Sequence, residues 1–189
     1  MDYTQEDIIL GCIRKEKEYQ RALYEEYASE MLAICLRYMD NKEDAEDVLQ
    51  DTFIKIFSSP KHLESVIDLE KWLCRVFINS VINRLKIKKK LSLIEKSIED
   101  YNIDNYVEDF VFDIDTKRFD IQTLLQALYS LRPEERIIFN MVEIEDMSYK
   151  EVEKLTGRNA STLRSLNMRA KIKMRNFLKA KEESDERVL

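Results

Sequence analysis

The sequence predicts an all-α fold, and three observations carry that prediction. Only two glycines (Gly11, Gly157) and two prolines (Pro60, Pro133) punctuate the 189 residues. Strand-rich folds need turn residues at much shorter intervals. Long stretches rich in Leu, Ile, Lys and Glu favour helix, and apolar residues recur within them at spacings of three and four. A hydrophobic content of 44% with 36% charged residues fits a packed protein and not a disordered one. The expected architecture is two small helical domains, 4–90 and 119–180, joined by an acidic linker over 91–118, the second containing a helix-turn-helix.

The first block reads as several helices. Ala22, Leu23, Tyr27, Met31, Leu32, Cys35, Leu36 and Met39 form an amphipathic stripe over residues 19–39. Asn41 is placed to cap the next helix, with acids in its first turn. The core face of that helix is Ala45, Val48, Leu49, Thr52, Phe53, Ile56 and Phe57, and Pro60 ends it. A third helix starts near Leu69, with Trp72, Leu73, Val76, Phe77, Ser80, Val81 and Leu85 on one side. Periodicity is lost over 88–118, where a short helix around Leu91–Ile98 is the one element expected. Ile121, Leu124, Leu125 and Leu128 open the second block as a short stripe. Pro133 suits a first helical position, followed by Glu134 and Glu135. Ser148 and Glu151 form a capping-box pattern, Gly157 suits a left-handed end, and a last helix runs from about Ala160 to Ala180 before a charged, fraying tail.

The opening MDYTQEDIIL has no basic region followed by an apolar core, so no signal peptide is expected. No apolar run approaches the length of a membrane span, and direct membrane insertion is not expected. Cys12, Cys35 and Cys74 match neither a disulfide framework nor a zinc site. Cys35 and Cys74 fall on apolar faces, where a thiol serves as a small hydrophobe. A reduced, cytoplasmic protein is the expectation. No Gly-rich phosphate loop, metal-ligand cluster or nucleophile–base pair is visible, so neither a cofactor nor catalytic residues are expected. His62, the only histidine, is read as an inert surface residue.

Net charge is −6, but the charge is segregated. Seven bases and no acid occupy 71–90 (71, 75, 84, 86, 88, 89, 90), and seven more, again with no acid, occupy 158–179 (158, 164, 169, 171, 173, 175, 179). Between them 95–120 holds nine acids against three bases. Two basic blocks around an acidic spacer suggest two anionic contacts joined by a segment that repels nucleic acid.

Three local patterns carry function. The capped helix at 149–156, the turn at Gly157 and the basic helix after it make a helix-turn-helix, or failing that a generic helical hairpin. In the former, the N-terminal half of the second helix enters the major groove. Ser161, Thr162, Arg164, Ser165, Met168 and Arg169 lie there, while Leu163, Leu166 and Ala170 can face the core. Lys171, Lys173 and Arg175 suit phosphate contacts or solvated charge. On the 69–86 helix a second face carries Lys71, Arg75, Asn79, Ile82, Asn83 and Lys86. The two asparagines, poor helix formers, either recognise base edges or bond solvent or a neighbouring loop. Trp72 is assigned to the core and not to base stacking. On the 42–58 helix Asp47, Gln50, Asp51 and Ile54 lie opposite the core stripe. An isoleucine among acids reads as a docking surface for a basic partner, against the alternative of a solvated acidic face.

Taken in order, DAEDVLQDTFIKIF (44–57), EKWLCRVFINSVINRLK (70–86) and LRPEERIIFNMVEIEDMSYKEVEKLTGRNASTLRSLNMRAKIKMR (131–175) strongly resemble the extracytoplasmic-function (ECF) class of sigma factors. The resemblance covers nearly the whole chain. It implies a subunit that binds core RNA polymerase, directs it to promoter DNA and helps melt the duplex. Asp47, Gln50, Asp51 and Ile54 would then dock on the β′ clamp helices, with a further polymerase contact at the β flap. Asn79 and Asn83 would read the −10 element with Lys71, Arg75, Lys86 and Leu63. Arg164, Ser165, Met168 and Arg169, with Ser161, Thr162 and Lys171, would read the −35 element. The acidic linker resembles the family segment running towards the RNA exit path, and an anti-sigma factor is an expected partner. Two departures stand out. Before Trp72 the family usually has an aromatic and then Gly, but this chain reads SSPKHLESVIDLEKW, with Leu63 near the aromatic position. The recognition turn holds Arg158-Asn159-Ala160 where a small apolar residue and Gly are common. A stand-alone helix-turn-helix regulator has no use for the Asp47–Ile54 face, and an anti-sigma-like binder predicts no salt-dependent DNA affinity.

Overall fold

A computed structural model describes residues 3–39, 41–92 and 119–186. The chain divides into two compact units, Met1–Lys96 and Ser97–Leu189, each built of helices. The acidic linker and the helix expected near 91–98 fall, from residue 93 onward, outside the described residues.

In the first unit α1 (Gln5–Ile13) is an element that the apolar spacing does not single out. It forms because Thr4 and Asp7 make a reciprocal capping box, the Thr4 hydroxyl accepting from the Asp7 N–H and the Asp7 carboxylate from that of Thr4. The Thr4 hydroxyl, which also donates to the Asp7 carboxylate at 2.6 Å, and the Thr4 N–H hold that carboxyl below its ordinary pKa. α2 (Lys17–Tyr38) buries Leu23, Met31, Ile34, Cys35 and Tyr38. α3 (Lys42–Ser58) is capped by Asn41, whose side-chain oxygen accepts from the Asp44 N–H at 2.8 Å. Pro60 does end α3, but it also opens a 3-10 turn, Pro60–Ser65. α4 (Leu69–Ser92) begins where the Asp68 carboxylate accepts from the Lys71 N–H at 3.1 Å. Gln5 ties the first helix to this start, donating to the Ile67 carbonyl at 3.0 Å and accepting from the Leu69 N–H at 3.3 Å.

The core of this unit joins α2, α3 and α4 through aromatic contacts. Phe53 packs edge-on against Phe77 at 5.2 Å and against Tyr24 at 5.0 Å. Burying such a side chain is worth about 1.5–3 kcal/mol, whereas exposed pairs such as Arg21–Glu25 and Lys42–Glu46 contribute about 0–1 kcal/mol. The apolar stripes therefore hold the unit. Cys12 and Cys35 are buried among them, and burial pushes their thiols up to about 11 and about 12. Cys74, expected in the same role, is only half-buried.

The second unit opens with α5 (Ile121–Tyr129), capped by Asp120, which accepts from the Thr123 N–H at 2.6 Å. Of the expected stripe, Leu128 is buried and Leu124 and Leu125 pack against the core, with Thr123 and Ala127 buried beside them, while Ile121 is 76% exposed. α6 (Pro133–Phe139) has Pro133 at its first position, and Glu135 accepts from the Arg132 N–H at 3.2 Å. A π-helical turn, Asn140–Ile144, follows, closed by the Glu145 N–H donating to the Asn140 carbonyl at 2.9 Å. α7 (Tyr149–Thr156) carries the capping box of Ser148 and Glu151 and ends at Gly157 with φ +74°. α8 (Ala160–Glu186) is longer than expected, since the Lys, Glu and Ala of the tail are good helix formers. Ala127, Leu128, Leu131, Phe139, Ala170, Met174 and Leu178 make one buried cluster. No helix among the described residues is long and apolar enough to cross a membrane.

Gly11 sets how closely α1 approaches α2. A Cβ placed there would lie 2.1 Å from Cγ of Tyr19, so the ring would have to move. Gly11→Ala is expected to lower the unfolding free energy by about 1–3 kcal/mol, read as an earlier midpoint in a urea melt.

Candidate nucleic-acid interface

Three helix faces bear the sequence-predicted site residues. Burial of Ala45, Val48, Leu49, Phe53 and Ile56 on α3 leaves Asp47, Gln50, Asp51 and Ile54 exposed on the opposite side, with Ile54 61% exposed. Asp47 is not isolated, because Arg84 on α4 donates to its carboxylate at 3.2 Å. The patch is acidic, carries one apolar side chain at its end, and is partly neutralised from α4.

On α4 the side chains of Lys71, Arg75, Asn79, Asn83 and Lys86 are all exposed. The first four fall at intervals of four, which aligns them along one ridge of the helix. Lys71 pairs with Asp68 at 3.0 Å, a contact of the exposed, weak kind. Two members of the sequence-predicted set leave this surface. Ile82 turns inward with Phe77, Ile78 and Val81, and Leu63 is 1% exposed in the core. Leu63 projects inward because the 3-10 turn places it, four residues after Ser59, on the side that faces the helices. A base contact by its side chain is therefore excluded in this conformation. The apolar group this segment does present is Ile67, at 94% exposure. Sequence periodicity could not single it out, since Ile67 lies outside any helix.

The helix-turn-helix is formed by α7, Gly157 and α8. Its unusual turn is pinned at each residue. Arg158 donates to Glu134 of α6 at 2.6 Å, and the Ala160 N–H donates to Glu153 at 2.9 Å. Asn159 caps α8, accepting from the Thr162 N–H at 2.9 Å and the Ser161 hydroxyl at 2.8 Å. Leu163, Leu166 and Ala170 face the core as expected. Ser161 and Arg164 are exposed, while Thr162, Ser165, Met168, Arg169 and Lys171 are half-buried.

Two lysines of α8 are engaged in ion pairs within the fold. Lys171 pairs with Glu143 at 2.8 Å. Lys173 pairs with Glu135 at 2.7 Å, and the Glu135 side chain is 2% exposed. A phosphate contact by Lys173 would strip a buried carboxylate of its counter-charge, so its role is structural. Sequence reasoning also passed over Glu143, Tyr149 and Asn167. Asn167 donates to Glu143 at 2.6 Å and to the Tyr149 hydroxyl at 3.0 Å. A readable signal existed: Asn167 is a polar residue four positions after Leu163 and so on the buried side. Lys173→Ala is expected to cost about 1–3 kcal/mol in a thermal melt while leaving the salt dependence of DNA binding unaltered.

Comparison with known proteins agrees with this geometry. The sigma-70 region 2 family matches residues 23–90 and sigma-70 region 4 matches residues 121–174. The ECF RNA polymerase sigma factor SigE of Mycolicibacterium smegmatis is 28% identical over 86% of this chain, which spans 62% of SigE. RNA polymerase sigma factor YlaC of Bacillus subtilis is 25% identical over 89% of this chain and 98% of its own length. Among solved structures, the sigma factor RpoE of Bartonella quintana, determined with the anti-sigma factor NepR, shares the fold with TM-score 0.53 at 19% identity, covering 84% of this chain and 96% of that one. With both regions present in order and their helices carrying the outward faces described, the chain belongs to the ECF class of sigma factors, promoter-recognition subunits of bacterial RNA polymerase.

Proposed function

We propose that the chain divides its work among these three faces. The α3 face, Asp47, Gln50, Asp51 and Ile54, docks on the β′ clamp helices of core polymerase. The exposed ridge of α4 reads the −10 element, with Asn79 and Asn83 on unpaired bases and Lys71, Arg75 and Lys86 on phosphates. The first turns of α8 read the −35 element, Arg164 and Arg169 on base edges with Ser161, Thr162, Ser165 and Met168 beside them. Residues 4–90 and 119–180 act as the two DNA-engaging domains, and 91–118 serves as the acidic connector. The β flap is a further polymerase contact, and an anti-sigma factor a further partner, as in the RpoE–NepR complex. Such a protein works in the cytoplasm and needs no catalytic residue or cofactor of its own.

The observation that carries this reading is Ile54, a large apolar side chain 61% exposed amid carboxylates on a helix whose other face is fully packed. A regulator that only binds duplex DNA gains nothing from it. Replacing Asp47, Gln50 and Asp51 together with alanine is expected to weaken core-polymerase binding by a hundredfold or more, about 2.7 kcal/mol, with the helical signal and melting point retained. Unchanged binding by the folded variant contradicts the docking role.

A further inference from the structure

The α8 surface contains a contact that the assignments above do not use. The Arg164 guanidinium lies over the ring of Tyr149, 5.4 Å from its centroid. Arg164 is exposed and long, so a free side chain would sample many rotamers and would lose that freedom on meeting a base. Tyr149 is itself held. Its hydroxyl accepts from Asn167 at 3.0 Å, and Asn167, 2% exposed, also donates to Glu143 at 2.6 Å. Glu143 in turn holds Lys171 at 2.8 Å. The ring is thus fixed from beneath by a buried amide and presents its face to the guanidinium.

We propose that Tyr149 is a positioning residue for Arg164, setting the direction in which the guanidinium meets a base edge in the −35 element. This rests on Arg164 being a reader. Bidentate recognition of guanine needs the guanidinium plane aligned with two acceptors, and discriminates by roughly five- to 150-fold when it is. A cation–π contact at an exposed site favours one pose by about two- to fivefold before DNA arrives. The ring adds no charge, so its loss affects discrimination and leaves the number of phosphates neutralised unchanged.

The test uses the full chain assembled with core polymerase and a promoter library randomised across the −35 element. Two variants separate the ring from its hydroxyl. Tyr149→Phe and Tyr149→Met both remove the acceptor for Asn167, but only Tyr149→Phe keeps the ring. Tyr149→Met is expected to lower the preference at one base pair by about two- to fivefold, at the pair that Arg164→Ala also flattens. Tyr149→Phe should retain it, and Tyr149→Met should add nothing to Arg164→Ala. The salt dependence of both variants should match that of the parent chain, while both should melt earlier, since each removes the hydroxyl that accepts from the buried Asn167 amide. Equal losses in Tyr149→Phe and Tyr149→Met, or a flattened Arg164→Ala beside an unaltered Tyr149→Met, overturn the positioning role alone. An unaltered preference in Arg164→Ala overturns the reader assignment and this proposal together.

Discussion

Packing at Phe53 is the interaction on which the first unit depends. Its ring meets Tyr24 of α2 and Phe77 of α4, and so it fixes the rotation of α3 against both neighbours. With 3.6 residues per turn, that choice also decides what faces away. Asp47, Gln50, Asp51 and Ile54 point outward because Val48, Leu49, Phe53 and Ile56 point inward. The same holds for α4, where burying Leu73, Phe77 and Val81 leaves Arg75, Asn79 and Asn83 in solvent. The face proposed to dock polymerase and the ridge proposed to read the −10 element thus both depend on one core. A void at Phe53 would disturb both.

The second unit solves a different problem. The helix proposed to read the −35 element has to project charged side chains without shifting under the pull of DNA. α8 is held by burying Leu163, Leu166, Ala170, Met174 and Leu178 on one side, and by pairing Lys171 and Lys173 with carboxylates of the preceding elements. Gly157 in the left-handed region and the Asn159 cap set where α8 starts. What remains outward in its first turns is a short set led by Arg164. The basic run counted from sequence is therefore larger than the basic surface.

Local chemistry was legible in the sequence where it acts over a few residues. Asn41, Pro133, Ser148 and Gly157 do what their residue types and spacing predict, because caps and left-handed turns are set within one helical turn. Much of the core face of each long helix followed for the same reason, but Ile34, Tyr38, Ile78 and Ile82 are buried outside the expected stripes. Leu63, Ile121 and Ile67 were not legible, since periodicity assigns faces only within a helix that is covered along its length. Pairings such as Lys173 with Glu135, 38 residues apart, leave no local trace, so a structural lysine reads as a phosphate contact. The π-helical turn that carries Glu143 likewise leaves no local signature in the sequence.

The most direct measurement is transcription by bacterial core polymerase on a library of DNA fragments, with and without the chain, mapping each start. The account predicts initiation only in the presence of the chain, at a small set of fragments sharing two short elements at constant separation. Initiation that is independent of the chain, or that is scattered without shared elements, would contradict it.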